Sequence, residues 1–231
     1  MNGIVFDLFH TLVDPEDFRP RDAWRLRLVA EALDANGRDL IMFWKDTYIE
    51  RTTSPVSGTD LILRYAAANE IAVSDAQQAE ITAHLGDYQD VALEQPRADV
   101  TDAVAALATR FPLAVLSNCY LEEVTAWSRS PLAPHFTGAA FSFAIGSRKP
   151  DPLAYLAATA LLDLEPSDCV FVGNGGSDEL RGAKEASFAL VVHQNQFDRD
   201  NGLVSDRQQE RRASQADAQI TSLAGLKALI D

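Results

Sequence analysis

Four polar segments, each following an apolar run, hold the reactive side chains of this sequence. Asp7 ends the run Ile4-Val5-Phe6 and is followed by Phe9, His10 and Thr11. A carboxylate just past a buried strand stands where a ligand would lie, because open α/β sheets bind beyond the carboxyl ends of their strands. The competing reading is a turn or helix cap. Ser117 and Asn118 follow residues 113–116. A hydroxyl with exposed backbone N–H groups holds an anionic oxygen, and an ordinary Ser-Asn turn is the alternative. Lys149 precedes a Pro-Asp-Pro helix start. Beside a carboxylate it neutralises charge and stabilises a transition state; otherwise it is a solvated lysine. Gly173-Asn174-Gly175-Gly176-Ser177-Asp178-Glu179 closes the set. Its glycines let backbone approach a ligand, and Asp178 either binds a metal or caps a helix.

These segments need a scaffold that brings their ends together. Short apolar runs at residues 4–6, 113–116, 139–144, 169–172 and 189–192 read as buried strands, with a short last one at 218–220. Helical periodicity intervenes at 99–110, 121–127, 152–162, 177–186 and 223–230, and residues 194–215 read as polar and loose. Strand–helix alternation predicts right-handed crossovers and an α/β fold with a doubly wound parallel sheet. Between the first two strands the pattern is helical throughout, over 21–36, 38–51, 59–69 and 74–93, with a loop at 52–58. Gly37 is a helix stop, and Ser74 with Gln77 resembles an N-cap. An all-helical cap over residues 15–93 is therefore expected, inserted into a core made of residues 1–14 and 94–231.

The composition narrows the function. With a formal charge of −14 the chain is a poor partner for nucleic acid or an anionic membrane. No apolar run approaches the roughly 18 residues of a spanning helix. The N-terminus lacks a basic segment followed by an apolar one, and Cys119 and Cys169 sit in or beside strand-like runs. A cytoplasmic protein with buried, reduced thiols is expected. The partner is a small, anionic molecule, and the chain is expected as a monomer or homodimer.

In order and spacing the four segments resemble the haloacid dehalogenase-like hydrolase superfamily, over nearly the whole chain. The resemblance implies a Rossmann-like core with the helical cap closing over it to choose the substrate. It implies Asp7 as nucleophile, attacking to form a covalent ester that water hydrolyses. Ser117 and Lys149 would bind the transferred group, Lys149 keeping Asp7 ionised. Phe9, Thr11, Asn118 and Tyr155 are carried over as substrate-binding positions. Phosphatases of the superfamily hold Mg2+, which here implies Asp7, the Phe9 carbonyl, Asn174 and Asp178 as ligands.

The match departs from the phosphatase pattern at two places. Phe9 stands where those enzymes carry a second Asp as general acid/base, which leaves His10 as a substitute or as a packing residue. Asn174 replaces the first acid of the fourth segment and would weaken Mg2+ binding. Phe9 and Tyr155 are similar to residues of the metal-free dehalogenase branch, whereas the glycine-rich turn is more like the phosphatase version. Three activities follow. The first, favoured on the fourth segment, is a phosphatase for a small phosphorylated metabolite, with weakly held Mg2+. The second is a metal-free 2-haloacid dehalogenase, and the third a degenerate, non-catalytic binding protein. Arg19, Arg21, Trp24, Arg25, Tyr48 and Arg51 are cap residues for which surface and substrate-contacting roles both stand.

Overall fold

The structure, a computed structural model, describes residues 1–19, 25–202 and 204–230. Six strands form one sheet: β1 (Gly3–Phe6), β2 (Leu113–Ser117), β3 (Gly138–Phe141), β4 (Cys169–Gly173), β5 (Leu190–Gln194) and β6 (Ala218–Ile220). The spatial order is β3-β2-β1-β4-β5-β6, and every pairing is parallel. The chain leaves β1 toward one edge and returns across it to β4. The point of reversal therefore lies between β1 and β4, where ligands bind in sheets of this kind.

Alternation along the strands feeds two cores. Ile4, Phe6, Leu113, Val115, Val170 and Val172 belong to one apolar cluster, and Val5, Ala114, Leu116 and Phe171 to the other. Both faces are covered, which explains why these strands read as unbroken apolar runs.

After β1 come α1 (Arg25–Leu33), α2 (Gly37–Asp46), α3 (Tyr48–Thr53), α4 (Gly58–Ala68) and α5 (Asp75–Glu94). All of these but α3 share a third cluster built on Val29, Leu33, Leu40, Trp44, Ile62, Ile81 and Leu85. Next are α6 (Ala98–Ala108), α7 (Ser142–Ile145), α8 (Pro152–Ala160), α9 (Glu179–Glu185), α10 (Gln196–Asn201), α11 (Asp206–Ala213) and α12 (Lys227–Ile230). Val100 and Val104 of α6 pack on one face of the sheet. On the other lie Ala154, Tyr155 and Ala158 of α8, with Leu180 and Ala183 of α9.

A buried carboxylate is one of the fastenings between the helical insert and the core, beside the Tyr120 hydroxyl donating to the Leu85 carbonyl at 2.9 Å and Thr125 Oγ1 donating to Asp90 at 2.8 Å. Glu122, in the connection after β2, accepts hydrogen bonds from Gly58 N at 2.9 Å, Thr59 N at 2.8 Å and Thr59 Oγ1 at 2.8 Å. It thus takes up orphan N–H groups at the start of α4, where negative charge is favoured. A further tie is exposed: Arg148 donates from Nη2 to the Tyr48 hydroxyl at 3.0 Å.

Several expected elements differ in detail. The helix expected over 38–51 breaks at Thr47 into α2 and α3, and Thr47 bonds back to the Phe43 carbonyl. Gly37 opens α2 instead of stopping a helix, because Asn36 caps it through Arg38 N and Asp39 N. The helix expected at 121–127 is two 3-10 turns. The third strand stops at Phe141, and α7 follows. Residues 194–215 are not loose, since they carry α10 and α11. Ser74 and Gln77 do form a reciprocal cap on α5. Arg21 and Trp24 lie outside the described residues. Cys119 and Cys169 are both buried and free. Among the described residues no helix is long and apolar enough to cross a membrane.

Candidate active site

The carboxyl ends of β1, β2 and β4 lie side by side because Phe6 is in register with both Val115 and Val172. Asp7 continues that alignment, donating its backbone N–H to the Val172 carbonyl at 2.9 Å. A cavity of about 220 Å³ opens there, lined by Asp7, Phe9, His10, Ser117, Asn118, Lys149, Asn174, Gly176, Ser177, Glu179 and Arg212. The topology thus gathers residues more than a hundred positions apart.

Asp7 is held at both oxygens. Thr11 Oγ1 donates to Oδ2 at 2.8 Å, and the Lys149 ammonium donates to Oδ1. Lys149 is 2% exposed and also donates to Glu179 Oε2 at 2.5 Å. Burial works against its charge, and the two carboxylates outweigh burial, so its pKa lies above the ordinary lysine value. Asn118 fixes the lysine's main chain from both sides, accepting from Lys149 N at 2.7 Å and donating to Lys149 O at 2.8 Å.

Glu179 is the acid that sequence reasoning missed. Ser177 and Asp178 adopt left-handed backbone, with φ of 53° and 54°, and this turns the chain so that the following residue points inward. The Glu179 carboxylate also accepts from Gly175 N at 2.9 Å. Its other flank fits because Gly173 has no Cβ, which would collide with Oε1. Burial, reinforced by Asp7 and opposed by Lys149, pushes its pKa up to about 7.

Asp178, expected as a metal ligand, faces outward, pairing with Arg211 at 3.3 Å and Arg181 at 3.8 Å. Tyr155, expected at the substrate, is buried and donates to the Glu179 carbonyl at 2.7 Å. It therefore shapes the start of α9 from behind the cavity. Thr11 is also fully buried; it contacts Asp7 and is not part of the cavity wall. The remaining expected residues, Asp7, Phe9, His10, Ser117, Asn118, Lys149 and Asn174, all line the cavity.

His10 is held with φ at 61°, in the left-handed region, at a cost on the order of 1–3 kcal/mol for a residue with a Cβ. Its Nδ1 lies 3.0 Å from Asp14 Oδ1. Burial opposes the charged ring, and Asp14 outweighs it, so the pKa is raised.

Arg212 enters the cavity from α11, in the segment that read as loose. Its Nη1 donates to Asp198 Oδ2 at 2.5 Å and to the Asn174 carbonyl at 3.1 Å. Nothing in the periodicity of residues 194–215 singles it out.

The parallel sheet thus reverses beside a buried, paired aspartate and lysine. A family model described as haloacid dehalogenase-like hydrolase matches residues 1–187, and the chain belongs to that family. Solved structures share the fold. A 2-haloacid dehalogenase from Pseudomonas syringae pv. Tomato DC3000 is 23% identical, with 100% of this chain and 98% of that one covered, at a TM-score of 0.67. A HAD phosphatase from Thermococcus onnurineus is 18% identical over 100% and 98%, at 0.62. An L-2-haloacid dehalogenase from Xanthobacter autotrophicus is 16% identical over 100% and 98%, at 0.60. No curated protein matches the chain.

The donor set does not fit the Mg2+ that phosphatases of the family use. Mg2+ wants oxygen ligands, commonly one or two carboxylates with waters, and the two carboxylates of this cavity, Asp7 and Glu179, are both engaged by Lys149. Here Asp178 points away, and Asn174 spends Oδ1 on Gly176 N at 3.0 Å and Nδ2 on Asp198 at 3.3 Å. Both Asp7 oxygens are already bonded, and the Arg212 guanidinium forms part of the wall. Among the described residues no group of three His, Cys, Asp or Glu is arranged to hold a metal ion.

Proposed function

We propose that the chain hydrolyses a small 2-haloacid through an ester on Asp7, without a divalent cation. The observation that carries this reading is Phe9 in the cavity wall, two residues beyond Asp7, together with the poor cation donor set. A halide departs with the C–X bonding pair and needs no proton, so an apolar residue at the acid position costs the reaction nothing. An alkoxide leaving a phosphate ester does need a proton. Asp7 attacks the carbon that bears the halogen, and halide leaves. Water then attacks the Asp7 ester carbonyl; its oxygen stays in the regenerated carboxylate, one of its protons ends on the alkoxide oxygen of the departing 2-hydroxy acid, and the other is released. The proton released passes to Glu179, whose pKa of about 7 suits a base near neutrality. Lys149 offsets charge on Asp7 throughout. A cavity of about 220 Å³ is below the usual range for drug-sized ligands, which supports a substrate of few heavy atoms.

The phosphatase reading keeps two supports: the glycine-rich turn after β4, which borders the cavity, and His10, which, backed by Asp14, lines it and supplies an acid where Phe9 does not. We assign residues 1–14 and 94–231 to the catalytic core and 15–93 to a substrate-selecting cap, in keeping with the insert's own apolar cluster. The chain is read as a cytoplasmic protein. Halide release from 2-chloropropionate in EDTA, abolished by Asp7→Asn, is the expected result. Magnesium-dependent hydrolysis of p-nitrophenyl phosphate with no halide release would reverse the order of the two readings. If both substrates fail, with Asp7→Asn indistinguishable from wild type in the cell, a non-catalytic role replaces both.

A further inference from the structure

We propose that Arg212 is the specificity-determining residue of this cavity: the guanidinium donors not engaged by Asp198 anchor the substrate's oxyanion. The proposal rests on the hydrolase reading of the same cavity.

The charges in the wall carry the argument. Lys149 is shared between two carboxylates, Asp7 and Glu179, so its charge is spent before any substrate arrives. An anion entering beside Asp7 would meet net repulsion unless a second cation faces it. Apart from His10, Arg212 is the other cationic side chain in the cavity wall, and its side chain is 17% exposed. A guanidinium presents five N–H donors in a planar fork that matches carboxylate and phosphate geometry. Among the described residues its two hydrogen bonds both come from Nη1. Asp198, buried at 3% exposure, balances the charge through that one nitrogen and sets the orientation of the rest, so what Arg212 offers an anion is its remaining N–H donors.

Two further features show a built position. A Cβ on Gly175 would lie 2.8 Å from Arg212 Cγ and 2.9 Å from its Cβ, so the glycine-rich turn clears a path for this side chain. The helix α11 has no buried residue of its own. It reaches this cavity through the Arg212 guanidinium, delivered from beyond the residues that the family model matches.

Binding of unreactive oxyanions separates this role from a latch that only ties α11 to the sheet. Propionate and inorganic phosphate would be titrated calorimetrically into the full chain in EDTA, the two probes distinguishing a carboxylate from a phosphoryl specificity. Wild type is expected to bind one of them without added metal. Arg212→Gln should weaken that binding roughly 10- to 100-fold, as for a lost charge-assisted hydrogen bond. Arg212→Lys should recover part of it, and Asp7→Asn should leave it intact or tighter while abolishing turnover. The double variant Arg212→Gln/Asp198→Asn removes the buried pair together and guards against a misfolded single variant. Unchanged anion binding in that folded double variant would overturn the proposal, as would wild-type binding of both anions only when Mg2+ is present. Turnover that survives Asp7→Asn would instead refute the Asp7-ester reading of this cavity, leaving the anion-binding result to be judged by itself.

Discussion

Glu179 Oε2 lies 2.5 Å from Lys149 Nζ, and Glu179, not its neighbour Asp178, completes the charged cluster at Asp7. One ammonium thus holds two buried carboxylates. Removing one partner from a buried ion network strands the others. Lys149→Met is expected to lower stability by about 3–5 kcal/mol, read from urea unfolding midpoints, and to abolish turnover. Asp7→Asn removes a carboxylate and relieves Glu179 of repulsion, so it should unfold at a urea concentration no lower than wild type.

The same cluster sets a pH dependence. Glu179 has a folded pKa of about 7 against an ordinary value of 4.5. Between those values the folded protein holds a proton there that the unfolded chain has released. Stability from this group is therefore fully present below pH 4.5 and is lost as pH rises through about 7. Glu179→Gln should flatten that slope in unfolding curves collected from pH 5 to pH 8. A slope unchanged by the substitution would assign the titration to another group.

Asn174 shows why the uncharged residue stands there. Its Nδ2 lies 3.3 Å from Asp198 Oδ1. Asn174→Asp would set two carboxylates against each other and lose that hydrogen bond, at a cost on the order of 1–3 kcal/mol. The variant also gains the oxygen charge that a hard cation seeks. Its melting temperature is expected to rise on addition of Mg2+, while that of wild type stays fixed.

His10 separates the two chemistries. On a phosphate ester, His10→Gln is expected to reduce kcat by roughly 10²–10⁴, the usual contribution of a general acid. On 2-chloropropionate, where the leaving group takes no proton, the effect should be far smaller. The raised His10 pKa also adds stability below pH 6.5 that is lost as pH climbs through the folded value. That component should vanish in the variant.

Much of this arrangement was legible in the sequence, for reasons that differ by residue. Asp7, Ser117 and Lys149 announced themselves because each directly follows a buried run or precedes a helix start, and parallel strands end at one rim. Asp178 misled by one position. The left-handed backbone at Ser177 and Asp178 turns Glu179 inward, and left-handed angles at non-glycine residues leave no trace in an apolar pattern. Arg212 was invisible for a related reason. Helix α11 is polar on every side, so residues 194–215 showed no periodicity, and the contact with Asn174 and Asp198 spans elements that only the finished sheet brings together. Tyr155 matched by spacing, yet its ring packs on Phe171 and Phe188 behind the cavity.

The grip of Glu122 on the start of α4 has a mechanical corollary. Three hydrogen bonds converge on that buried carboxylate, whereas the Arg148–Tyr48 tie is a single exposed one. Rocking the helices outward costs least when the former acts as an axle and the latter lets go first. Amide protons of Gly58 and Thr59 should then exchange with deuterium as slowly as those of β1, even while substrate comes and goes. Glu122→Ala would loosen the bearing itself, trading a guided swing for an aimless one.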